Sequence, residues 1–90
     1  MFFFYNGKKY AGASAVEIVR QMEHDAKDYP RQGTLRDFLR WTYVRLADHV
    51  PKRELDMPSH LADETLAFSF LCLLDEYGIG RLPVPHETGT

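Results

Sequence analysis

The chain has a single cysteine, Cys72, among its 90 residues. That excludes an intramolecular disulfide and removes the usual mark of an oxidising compartment. Cys72 sits in an apolar helical run, where a small buried hydrophobe is expected. A nucleophilic thiol needs a positive neighbourhood, and this one has Asp75 and Glu76 nearby. The sequence also lacks a P-loop, a dinucleotide-binding glycine pattern, a nucleophile elbow and a Cys-X-X-Cys pair, so the common signatures of catalysis and cofactor binding are missing. Gly78-Ile79-Gly80 follows a helix where a phosphate loop would precede one, and reads as a helix stop. No apolar run approaches the ~20 residues of a membrane span. The opening Met1-Phe2-Phe3-Phe4-Tyr5 has no basic region before it and soon meets Asn6-Gly7-Lys8-Lys9, unlike a secretory leader. A cytoplasmic location is the expectation these absences leave.

An excess of charge is lacking as well. Eleven Lys and Arg oppose thirteen Asp and Glu, for a net charge of -2. Nucleic-acid binders usually carry a strong basic stripe, so nucleic acid is not the expected partner. The gradient is mild: residues 57–77 hold Asp63, Glu64, Asp75 and Glu76 with no Lys or Arg, and most bases lie in 30–56.

What is present is globular: 44% hydrophobic and 13% aromatic residues, enough apolar surface to offset the entropy of ordering. The length suits one domain. Asn6-Gly7 between two short apolar-rich stretches predicts a type I′ hairpin over 2–11, because this pair tolerates two positive φ angles. A two-residue loop sets Tyr5 against Lys8 and Phe3 against Tyr10. Phe3, Tyr5, Lys8 and Tyr10 then share one face, and Phe2, Phe4 and Lys9 the other.

Three helices follow. Ser14 with Glu17 forms a capping-box pattern, and Ala15, Ile18, Val19, Met22, Ala26 and Tyr29 recur at helical spacing, predicting a helix over 15–29 that ends at Pro30. Thr34 caps a second helix over 35–49 with a core stripe of Leu35, Phe38, Leu39, Thr42 and Leu46. Trp41 and Val44 point off that stripe as a smaller patch flanked by Arg45. Pro58-Ser59 opens a third helix, over 60–77, with Gly78 as a left-handed cap. This helix is apolar nearly all round: Leu66, Ala67, Phe70, Leu71, Leu73, Leu74 and Tyr77 form one face, and Leu61, Phe68 and Cys72 another. Residues 79–90, with Pro83 and Pro85, read as an extended tail in which Leu82 to Pro85 docks weakly or moves. The expected fold is therefore α+β: a short N-terminal β-hairpin packed on a three-helix cluster, a domain of residues 1–78, then the tail.

Candidate chemistry is thin. His24 with Asp28 and His60 with Glu64 each share a helical face at i, i+4, but a structural zinc site usually needs four ligands, and solvated charge pairs are the simpler reading. No catalytic, cofactor or metal residue is assigned. Helix-two residues Arg36, Arg40, Trp41 and Arg45 offer a nucleic-acid reading, interrupted by Asp37 and Asp48. A ligand or metal site assembled between subunits, from His60, Glu64 and Tyr77, is a third.

The leading expectation is a non-enzymatic interaction module that self-associates or binds another protein. Three apolar surpluses in one small chain are hard to bury alone, and a symmetric dimer is the common solution. The expected surface is Phe2, Phe4, Trp41, Val44, Arg45 and Phe68.

Overall fold

The computed structural model describes residues 1–29, 33–51 and 57–83. Pro30, the connection 52–56 and the tail from Val84, with His86, lie outside the described residues. The order is β1 (Phe2–Tyr5), β2 (Lys8–Ala11), α1 (Ala15–Asp25), α2 (Leu35–Leu46), α3 (Asp63–Glu76) and β3 (Gly80–Arg81).

Asn6 and Gly7 take φ of 57° and 78°, the geometry the I′ turn requires. The register is the one the turn dictates: Phe3 opposite Tyr10 and Tyr5 opposite Lys8. Phe3 and Tyr10 face inward and are buried, whereas Phe2 and Phe4 are exposed.

The sheet has a third strand that local sequence does not announce. Gly80 and Arg81 pair antiparallel with Tyr5 and Phe4, making β1 the central strand of an order β2-β1-β3. The start of the expected tail is therefore built into the fold, and Leu82 beyond it is buried. Gly80 permits this approach: a Cβ there would lie 2.4 Å from the Phe3 ring.

Helix α3 is the centre of the core. Leu66, Ala67, Phe70, Leu71, Leu73 and Leu74 are buried, and each fully buried Leu or Phe contributes about 1.5–3 kcal/mol. It packs on α1, α2 and β3. Phe68 stays exposed and Cys72 half-buried, so one face of this helix remains outside the core. At its end Gly78 has φ 73°, with Ile79 N–H donating to Leu74 C=O at 2.9 Å and Gly78 N–H to Asp75 C=O at 3.1 Å. Those two bonds define a Schellman stop.

All three helices are shorter than their periodicity predicts. α1 ends at Asp25, where Ala26 turns extended (ψ 101°). Tyr29 thus reaches the core from a turn, edge-on to Phe38 and Trp41, at 5.1 Å from each. α2 ends at Leu46, with 47–49 in turn. α3 begins at Asp63 and not beside Pro58-Ser59, because 59–60 form a turn in which Leu61 N–H donates to Pro58 C=O. On α2 the buried stripe includes Tyr43 in place of Thr42. Both flank the Leu39–Leu46 line. The larger ring gains more from burial and packs on Phe70 at 5.9 Å, whereas the Thr42 hydroxyl donates back to Phe38 C=O at 2.9 Å.

Candidate interaction surface

The amino ends of the helices decide which acids remain available. Four N–H groups at each end lack an intrahelical acceptor. On α1, Ser14 Oγ accepts from Glu17 N–H at 3.3 Å, and the Glu17 carboxylate accepts from Ala13 N–H at 3.0 Å. The Ala15 and Val16 N–H groups donate to Glu64 Oε2 and Oε1 at 2.9 and 3.0 Å. Glu64 is thereby a tether from α3 to α1, with both oxygens engaged. On α2, Thr34 and Asp37 form a reciprocal capping box, and the Thr34 N–H bond holds the Asp37 carboxyl below its ordinary range.

The helix-two arginines do not form one open basic face. Arg36 is turned onto the loop before α3, donating to the Leu61 and Pro58 carbonyls and lying 3.4 Å from Asp63. Arg40 bonds Asp37 at 3.3 Å. The Arg45 guanidinium lies over the Trp41 ring at 3.9 Å, a cation–π contact. Trp41 itself stacks on Phe38 at 6.0 Å, so much of it is covered within the chain.

A cleft of about 340 Å³ opens between the hairpin turn, the end of α1 and α2, with Tyr10, Asp25, Trp41, Arg45 and Phe70 among its walls. Its size suits a small ligand. Its Asp25 and Arg45, however, are engaged within the chain. Lys8 Nζ lies 2.5 Å from Asp25 Oδ2, and the Tyr10 hydroxyl donates to the same oxygen at 3.0 Å. Lys8, then Tyr10, hold the Asp25 carboxyl below its usual range. Burial and then the Asp25 bond push the Tyr10 phenol up to about 12. This group ties the hairpin to α1.

Among the described residues no polar or charged side chain other than tyrosine is buried, and no three His, Cys, Asp or Glu side chains converge as metal ligands. The Cys72 thiol is pushed up, first by burial and then by Asp75, the opposite of an activated nucleophile. No helix of the described residues is long and apolar enough to cross a membrane.

Apart from Met1 ahead of β1, the large apolar residues left exposed among the described residues lie on three elements. Phe2 (47% exposed) and Phe4 (38%) stand on the outer face of the sheet, Phe68 (44%) on α3 and Val44 (70%) on α2. Of the six residues expected to form one surface, Trp41 and Arg45 touch each other and Phe2 and Phe4 share a strand face. Sequence reasoning missed Arg81, which β3 places opposite Phe4. The only signal for it was the glycine at position 80, which allows close packing. No model of a known protein family, no curated protein and no solved structure matches this chain.

Proposed function

We propose that this protein is a non-enzymatic interaction module that self-associates through apolar surface left outside its core. The observation that carries this reading is the outer face of the sheet. Phe2 and Phe4 lie on the central strand, Phe4 flanked by β2 and β3 and Phe2 by β2 alone, yet both remain exposed. A central strand is the best place in a sheet to bury an aromatic side chain, and a phenylalanine left in water there forgoes about 1.5–3 kcal/mol on full burial. Exposed apolar groups rimmed by polar ones mark association sites. Phe68 and Val44 add to the surplus.

The test is solution mass by light scattering over a wide concentration range. Self-association raises the average mass above the 10.5 kDa of one chain as concentration rises. A mass fixed at one chain throughout sinks the proposal.

A further inference from the structure

Two outward faces of this fold are complementary in charge. On the sheet, register partners point to the same side, so Phe4 shares its face with Lys9 on β2 and Arg81 on β3. Phe2 and Ala11 complete that face. Lys9 Nζ rests 4.2 Å from the Phe2 ring centroid. The strand positions of this face contain two aromatics, two cations and no acid. Neighbouring strands lie about 4.8 Å apart, which sets the backbone of a cationic residue at that distance on either side of Phe4.

On α3 the outward face carries the opposite sign. Phe68 lies one turn before half-buried Cys72 and two turns before Asp75 and Glu76, on one side of the helix at 3.6 residues per turn. The other two acids of this region are engaged inside the chain: Asp63 with Arg36 and Glu64 with the end of α1. Among the described residues no ion pair holds Asp75, Glu76, Lys9 or Arg81.

We infer that the α3 face of one copy docks on the sheet face of the next, with Phe68 against Phe2 and Phe4, and Asp75 and Glu76 against Lys9 and Arg81. This rests on the self-association reading and names its geometry. Phe68 and Asp75 are separated along the helix by about 10 Å, and Phe2 and Arg81, two residues along β1 and one strand across, by about 8 Å in the plane of the sheet. One contact therefore buries the aromatics and brings the acids within reach of the cations. With each copy engaging one neighbour through its sheet and a different neighbour through α3, the interface is heterologous and propagates into a ring or an open chain in place of a closed pair. Opposite charges steer the faces together and penalise sheet-on-sheet pairing, which would set cation on cation.

The experiment uses three proteins: wild type, a sheet variant (Lys9→Glu with Arg81→Glu) and a helix variant (Phe68→Glu). Wild-type mass is expected to climb past two chains with concentration. Each variant is expected to need about tenfold or more protein for the same association, as loss of a central contact does. Mixed in equal amounts, the two variants should form pairs and nothing larger, since the mixture contains one intact sheet face, one intact helix face and two acidic faces that repel. Misfolded variants cannot restore each other, so recovery on mixing also controls for folding.

A wild-type mass that plateaus at two chains, or no recovery on mixing, overturns this geometry while leaving self-association standing. A wild type that stays at one chain overturns both. Salt-sensitive binding of a single-stranded oligonucleotide by such a monomer, lost in the sheet variant, would assign the aromatic and basic face to nucleic acid.

Discussion

The Glu64 carboxylate accepts the backbone N–H of Ala15 at 2.9 Å across 49 positions of sequence. A side chain that reads locally as a solvated acid in the first turn of α3 is the cap of a different helix. Its second oxygen takes Val16 N–H, so one residue satisfies two donors that would otherwise face water or nothing.

Glu64→Ala should lower stability by about 1–2 kcal/mol, the usual cost of losing a helix cap, with the favourable charge at the helix end lost too. His60→Ala should stay within about 0.5 kcal/mol, as an exposed substitution does. Urea midpoints compare the two. Equal effects would return Glu64 to the solvated surface. Stabilisation by added zinc that both substitutions abolish would revive the metal reading.

Gly80→Ala should destabilise by about 1–3 kcal/mol, the range for overpacking a tight core. The new Cβ meets the ring of Phe3, which is 0% exposed and has nowhere to retreat. An unchanged thermal midpoint would show that β3 does not press on Phe3.

Trp41→Ala should cost about 2–4 kcal/mol, somewhat under the 3–5 kcal/mol of a fully buried tryptophan, because Trp41 fills the space between Tyr29, Phe38 and Arg45. Circular dichroism in urea measures it. A fully stable, helical variant that nonetheless stays monomeric would make Trp41 an interface residue instead.

The Lys8–Asp25–Tyr10 group gives stability a dependence on pH at both ends. The Asp25 pKa is depressed in the fold, so its contribution is present above the unfolded carboxyl value near 3.9 and is lost as pH falls through the lower folded value. The Tyr10 pKa is raised to about 12, so its contribution is intact below the unfolded value of about 10 and disappears as pH rises toward 12. Tyr10→Phe should flatten the alkaline slope relative to wild type, although Tyr43, also raised to about 12 by burial, keeps part of it. Denaturation midpoints from pH 2 to 11 provide the comparison. Identical alkaline slopes in both proteins would remove Tyr10 from this role.

Features set by neighbours in sequence were legible in it. Asn6-Gly7 specified the hairpin and its register, Ser14 and Thr34 the helix starts, and Gly78 the last helix stop. The periodicity of 66–74 separated the buried side of α3 from Phe68. The features that escaped join distant positions: Glu64 to Ala15, Arg36 to Leu61, Gly80 to Tyr5, Tyr29 to Trp41. Periodicity and capping report on a residue's own turn, and a partner dozens of positions away leaves no trace in either. The surface shows the same division. Phe2 and Phe4 could be placed together on one face from the hairpin alone, but burial of Phe3 and Tyr10 makes that face the outer one, and the cation beside them, Arg81, arrives only with the third strand.

Because β1 takes its second partner from the far end of the described chain, the sheet has an order in time. The hairpin can close in about 1–10 μs, whereas β3 must wait until α3 is formed and docked, since non-local pairing repays its loop-closure entropy late. A strand of two residues is also the weakest seam on the way out. Amide exchange should be faster at residues 80–82 than at Phe70, and equal rates would contradict that order. Gly80 lies against the Phe3 ring, so the enclosure of Phe3 is completed only when β3 docks and is reopened when that strand lifts away.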